Sequence, residues 1–250
     1  NTFRYLLGNI NDNFEILKLN TVNVEELPEL EQLMLHKIYI LNDNFKKYFN
    51  NYDFHNLYKE LLNFCTVDLS AFYFDIRKDN LYCDPEDSEK RKSTILLLNI
   101  ILNALLKWFA PILSFTTEEI YRLLFKDQKS IHLEKFIEFP DKFKNQKLNE
   151  KWNELIKIRN ICNISIEEKR ASKEIGSSLE AHLKIQLSEK LKNLSENTDF
   201  SELCIVSKAE VTYKGDIETT AITSKAKGSK CPICWKIKET ACDRSNCAVN

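Results

Sequence analysis

The sequence predicts a mainly α protein: an antiparallel helical bundle, then a small α/β unit, then a short cysteine-built knob. Three observations predict it. Apolar residues recur at three-and-four spacing through most of the first two thirds of the chain, as amphipathic helices require. The period shortens to alternation at His182-Leu-Lys-Ile-Gln-Leu187, the pattern of a half-buried strand. Four cysteines, Cys231, Cys234, Cys242 and Cys247, crowd the last twenty residues.

The helices follow in order. From Leu30, the positions Leu33, Met34, Ile38, Leu41, Phe45 and Tyr48 build one apolar face. Asn50-Asn51-Tyr52-Asp53 breaks the pattern, and Asp53 suits the cap of the next helix. That helix carries Phe54, Leu57, Tyr58, Leu61, Leu62 and Cys65, and the pattern continues through Leu69, Phe72, Tyr73 and Ile76. After a polar turn around Asp84-Pro85 comes ILLLNIILNALLKWFAPIL, residues 95–113. It is long enough to cross a membrane, yet Asn99, Asn103 and Lys107 fall on one helical stripe. This reads as a buried bundle helix with one wet edge, ended by Pro111. Thr116 and Glu119 fit a capping box that starts another helix through Leu124. Long amphipathic helices with short connections pack as an antiparallel bundle.

The pattern changes near residue 130. Residues 148–171 read as a charged helix with Trp152, Leu155, Ile156, Ile158 and Ile161 available for packing. After the His182–Leu187 strand, residues 188–194 read as a short helix. Leu203–Val206 and Glu210–Tyr213 read as two more short strands. Residues 214–230 are polar and read as a linker. The expected partition is a bundle over 1–145, a charged helix plus α/β unit over 146–213, and a linker with the cysteine tail over 214–250.

Composition narrows function. Four glycines in 250 residues leave no material for a phosphate-cradling loop, and neither GxGxxG nor a P-loop occurs. His36, His55, His132 and His182 are dispersed, with no local motif for a triad. A net charge of −1 gives no global attraction to nucleic acid, so any basic surface must be local. A binding region fits these facts better than a complete catalyst.

The cysteine tail is the sharpest signal. CxxC at Cys231–Cys234 can place two sulfurs on one metal ion, and Cys242 with Cys247 completes an S4 shell, which favours zinc. Four protein ligands leave no position for water, so such a site is structural. Three readings compete: a redox CxxC, a disulfide framework and plain buried thiols. Redox motifs usually sit near a βαβ pattern, whereas this one lies in a Lys-rich tail. Cys65, Cys83, Cys162 and Cys204 fall in or beside apolar patterns and read as packed thiols.

Five segments together resemble one family: NTFRYLLGNIND (1–12), NFCTVDLSAFYFDIRKDNLYCD (63–84), APILSFTTEEIYRLL (110–124), IGSSLEAHLKI (175–185) and CPICW (231–235). They resemble, in the same order, the C-terminal part of bacterial isoleucyl-tRNA synthetases, class I aminoacyl-tRNA synthetases. The resemblance implies an anticodon-binding bundle and a zinc-binding tail. It also implies a catalytic domain with HIGH and KMSKS signatures, and an editing domain, both upstream. Neither signature occurs in these residues. ATP and Mg would belong to that catalytic domain, so this fragment alone is expected to be inactive, with no catalytic residue. The second cysteine pair departs from the family's CxxC, since four residues separate Cys242 from Cys247.

The implied partners are the anticodon stem-loop of isoleucine tRNA and the catalytic domain of the same polypeptide. A monomer in the cytoplasm, without a membrane partner, is expected. Candidate tRNA contacts are Trp235, Lys230 and Lys236 at the knob, with Arg4, Arg77 and Lys78 on the bundle. Trp235 is either a stacking platform for a base or a cover for the knob's own core. The lysines serve phosphates, compensate thiolate charge or simply solvate the tail. Arg77 and Lys78 are expected as an exposed basic pair. Asp68 and Asp75 read as helix-surface or inter-helix partners. The rival to the whole assignment is a non-catalytic zinc-containing helical module that binds protein or nucleic acid generally.

Overall fold

A computed structural model describes residues 1–10, 14, 17–125, 130–240 and 242. The chain divides into two compact units, one of Asn1–Leu81 with Glu86–Gln146 and one of Tyr82–Pro85 with Lys147–Asn250.

The first unit is helical. It holds α1 (Thr2–Ile10), α2 (Glu29–Asn50), α3 (Phe54–Asn63), a π-helical stretch (Phe64–Phe74), α4 (Asp75–Cys83, whose last two residues belong to the second unit), α5 (Glu89–Phe109) and α6 (Ser114–Leu124). Asp53 caps α3 by accepting from the Asn56 N–H, as its position predicts. Ser88 caps α5 in the same way through Arg91. α5 is apolar enough for a membrane span, but 61% of that stretch is buried within the fold. At the core, Phe45 and Phe64 meet Trp108 edge-on at 4.9 and 6.2 Å. The Trp108 indole donates to Asn42 Oδ1 at 3.0 Å, and Asn42 donates onward to the Ile137 carbonyl. A buried indole N–H thereby gains the partner it needs.

Two helical details differ from the sequence expectation. The capping box at Thr116 and Glu119 is not made; α6 begins at Ser114 without a side-chain cap. The neighbouring Thr117 hydroxyl bonds back to the Leu113 carbonyl. The larger difference lies between α3 and α4. Every fourth residue there is buried: Leu61, Cys65, Leu69, Tyr73, Arg77 and Leu81. A 3.6 repeat continued from Leu61 would turn Asp68, Asp75 and Asp79 inward. The wider π turns shift the face by one position and spare those carboxylates. Asp68 instead pairs with Lys37 at 2.7 Å and Asp75 with Lys78 at 2.6 Å.

The second unit holds α7 (Gln146–Ala171), β1 (Ala181–Leu187), α8 (Lys192–Ser195), α9 (Phe200–Leu203), β2 (Lys208–Tyr213), β3 (Thr220–Lys225), β4 (Ser229–Lys230) and β5 (Ile237–Lys238). A three-stranded sheet runs β2-β1-β3, with β1 parallel to β2 and antiparallel to β3. β1 buries alternate residues Ala181, Leu183, Ile185 and Leu187, the alternation read from the sequence. The parallel pairing needs a crossover, and α8 and α9 supply it.

Leu203–Val206 is not a strand. Asp199 caps α9 by accepting from the Ser201 and Glu202 N–H groups, which turns this apolar run into a helical turn. Residues 214–230 are not a plain linker either, because β3 lies within them and pairs with β1 from Ala181↔Lys225 to Gln186↔Thr220. Only Thr223 of that strand is buried, its hydroxyl 2.8 Å from Ser165 of α7.

Candidate metal centre and nucleic-acid face

The knob is built on a hairpin. β4 and β5 pair antiparallel through Ser229↔Lys238 and Lys230↔Ile237. Between them the CPICW turn closes with the Trp235 N–H donating to the Cys231 carbonyl at 3.0 Å and the Cys231 N–H to the Lys236 carbonyl at 2.9 Å. Ser207 stitches this hairpin to the sheet, since the Ile237 N–H donates to its hydroxyl at 2.6 Å. That hydroxyl in turn donates to the Leu179 carbonyl.

The turn gathers three sulfurs. The Sγ atoms of Cys231, Cys234 and Cys242 all lie within 4.8 Å of one another, and all three residues are buried. Cys234 and Cys242 stand 3.9 Å apart, too far for the ~2.05 Å of a disulfide bond. A tetrahedral zinc with Zn–S bonds of ~2.3 Å holds its sulfurs about 3.8 Å apart, so these thiols fit such an ion. The Lys236 N–H donates to the Cys234 sulfur, while burial pushes this thiol up to about 11. Cys247 lies outside the described residues. A fourth buried cysteine packs in the same cluster, namely Cys83 from the end of α4. No spacing signal pointed to it, because the rest of the cluster comes from the far end of the chain.

The surface around the knob is basic. A cleft of about 500 Å³ runs between the sheet and β5, with Lys184, Lys208, Lys225, Lys227 and Lys238 on its walls and Glu239 opposing. The sequence shows only the three lysines near the cysteine tail; Lys184 and Lys208 join them through the parallel β1–β2 register. Glu210 takes part of this charge. It bonds Lys208 at 2.9 Å and stands 3.2 Å from His182, and the Lys208 hydrogen bond holds its carboxyl below the usual range.

Trp235 is 59% exposed, so its ring does not serve as a cover for the knob. Its backbone is left-handed, at φ 62°. Lys230 Nζ lies 5.7 Å from the ring centroid, within cation–π range, and 4.0 Å from Glu180. Lys236 is half-buried and Lys230 exposed.

On the bundle, Arg4 is exposed on α1, and Lys78 is exposed but paired with Asp75. Arg77 overturns the expected exposed pair: its side chain is 3% exposed. It grips Glu31 with Nε–Oε1 and Nη2–Oε2 both at 2.6 Å, and Tyr73 donates to the same carboxylate at 2.9 Å. The π-helical shift of the buried face carries it inward.

Residues 31–186 match the family described as the anticodon-binding domain of tRNA ligase. The chain is 63% identical over 244 residues to the isoleucine–tRNA ligase of Pelagibacter ubique, covering 98% of this chain and 27% of that protein. It is 37% identical over 252 residues to the isoleucine–tRNA ligase of Agrobacterium fabrum, covering 95% and 25%. It is 36% identical over 260 residues to that of Zymomonas mobilis, covering 100% and 27%. The chain spans about a quarter of the length of these relatives.

Proposed function

The chain belongs to the family of tRNA ligase anticodon-binding domains, and from that premise we propose that it recognises the anticodon stem-loop of isoleucine tRNA within an isoleucine–tRNA ligase. The parent enzyme would join isoleucine to tRNA at the expense of ATP, in a catalytic domain outside these residues. The relatives' names support the amino acid. The proposed setting is the cytoplasm, with a monomeric chain; the described cysteines are thiols, in keeping with a reducing compartment.

One structural zinc held by Cys231, Cys234 and Cys242, with Cys247 of the same tail as the fourth ligand, is part of the proposal. When bound, the ion supplies no reaction chemistry and cross-links the hairpin. The protein's own residues do the rest. The turn aims Trp235 outward, and the lysine cleft beside it offers charge to phosphates.

Exposed Trp235 in a left-handed turn is the observation that carries this reading. A non-glycine residue costs roughly 1–2 kcal/mol there, so glycine would suit the turn better unless the ring is needed. Base–aromatic stacking contributes roughly 1–3 kcal/mol, about 5- to 150-fold in affinity. Trp235→Gly is therefore expected to keep its zinc and thermal stability while losing affinity for isoleucine tRNA by that factor. Affinity measured for isoleucine tRNA, for the same tRNA with its anticodon exchanged, and for this variant tests the reading. Equal binding of all tRNAs refutes anticodon recognition; undiminished binding by the variant refutes the role of the ring.

A further inference from the structure

The three-stranded sheet buries one face and leaves the other open. Ala181, Leu183, Ile185 and Leu187 of β1 are buried, so His182 and Lys184 stand on the opposite face. The register sets Lys208 of β2 beside His182, and Glu210 beside Lys184. On the other flank, Ser224 and Ile222 of β3 pair with the same two residues. His182, Lys184, Lys208 and Ser224 all line the cleft of about 500 Å³. Glu210 Oε1 lies 2.9 Å from Lys208 Nζ and 3.2 Å from His182 Nε2. The second approach is not a hydrogen bond, which leaves that buried nitrogen without one. Such a nitrogen is costly to keep, and it suits an acceptor that reaches it better than a side chain anchored on the next strand.

A carboxylate and a phosphodiester both spread one negative charge over two oxygens, and both accept charge-assisted bonds from Lys and His. We infer that Glu210 is the placeholder of a phosphate site: its carboxylate occupies the position that an RNA backbone phosphate takes on Lys208 and His182, and it swings out when that phosphate arrives. Exposed ion pairs are weak, and the Glu210 side chain is 43% exposed, so the exchange is easy. Until it is displaced, the carboxylate repels any polyanion that does not bring a phosphate to this spot. A like charge set within a basic cleft in this way raises selectivity more than affinity.

The placeholder rests on the reading of this chain as a tRNA-binding domain, so two probes are titrated: isoleucine tRNA, and a short oligouridylate that has phosphates but no anticodon. Glu210→Gln is expected to bind both about 2- to 5-fold more tightly at low salt, the strength of one exposed ion pair that binding no longer breaks. Lys208→Gln is expected to weaken both and to make the salt slope shallower by about one, as one phosphate contact is lost. Added to Lys208→Gln, the Glu210 change is expected to gain less, because no pair is left to break. Asp216→Asn dissolves a 2.7 Å pair with Lys190 on exposed surface away from the cleft lining and is expected to change nothing. No tightening in Glu210→Gln overturns the placeholder. An equal gain with Lys208 already replaced, or from Asp216→Asn, reduces the effect to general charge and overturns it too. Oligouridylate that responds to Glu210→Gln while all tRNAs bind alike keeps the phosphate site and refutes anticodon recognition. A preserved preference for isoleucine tRNA with no response to Glu210→Gln does the reverse, and failure of both probes to bind overturns both.

Discussion

The buried ion pair between Glu31 and Arg77 shows what a single side chain can decide. Both oxygens of the carboxylate are engaged, by the guanidinium fork and by Tyr73, so the charge is buried but fully partnered. Removing one member strands the other, a loss of about 3–5 kcal/mol. Glu31→Gln or Arg77→Met is expected to lower the urea midpoint accordingly, while Glu31→Met combined with Arg77→Met recovers much of the loss because no charge is then left unpaired. A single variant that unfolds with the unaltered protein would mean the pair is not buried in solution. His36 carries a pH dependence of definite sign. It is buried, and its Nδ1 accepts from the Asn145 N–H at 3.0 Å. Burial, then Lys37 and Lys144, lower its pKa from 6.5. The unfolded chain therefore binds the proton more readily, and stability falls as pH drops through 6.5 toward the lower folded value. Thermal melts between pH 7.5 and 5, values that bracket the ordinary histidine range, are expected to show this loss. His36→Asn, which keeps an acceptor without titrating, is expected to flatten that part of the profile.

Elements differ in how plainly the sequence announces them, and the difference has a physical origin. α2, α7 and β1 are legible because each buries one face against its own unit, and burial imposes a local period on side chains. β3 escapes because nearly every residue on it touches solvent; its place is set by backbone pairing with β1, which leaves no apolar pattern. Arg77 escapes because the π-helical stretch changes the period itself. The knob is legible through its CxxC spacing, but Cys83 reaches it only through the fold. Glycine scarcity was informative in one further way, since one of the four glycines is demanded by the knob. Gly228 has φ +119°, and a Cβ there would sit 2.1 Å from the Lys238 carbonyl oxygen. Gly228→Ala must push β5 off β4, at a cost of roughly 1–3 kcal/mol for the backbone conformation alone. Faster zinc release to a chelator is expected, with the bundle's melting unchanged. Gly176→Ala, whose added Cβ would meet nothing nearer than 3.5 Å, is the control that should release zinc at the ordinary rate; equal rates in the two variants would remove the hairpin from any role in holding the metal.

Across the whole molecule, 36 basic and 37 acidic residues nearly cancel, so long-range attraction cannot deliver an RNA to this chain. Selectivity in charge must come from where the lysines stand. The acidic residues of the helices are largely consumed by neighbours, as in the pairs Asp75–Lys78, Glu118–Arg122 and Glu154–Lys157. The cleft beside the knob concentrates lysines from four strands against few acids. Within it Lys208 is already held by Glu210, which leaves Lys184, Lys225 and Lys227 as the exposed cations to test. Each phosphate neutralised by a protein cation releases condensed counterions and steepens the salt dependence of binding by about one in logarithmic slope. Replacing these three lysines together by glutamine is therefore expected to weaken tRNA binding at low salt and to make the slope shallower by roughly 2–3. Trp235→Gly is expected to weaken binding at every salt concentration while leaving the slope alone, since stacking releases no ions. The two variants thus separate charge from stacking in one titration series. An unchanged slope in the triple variant would place the phosphate path elsewhere on the chain, with exposed Arg4 on α1 the next residue to test.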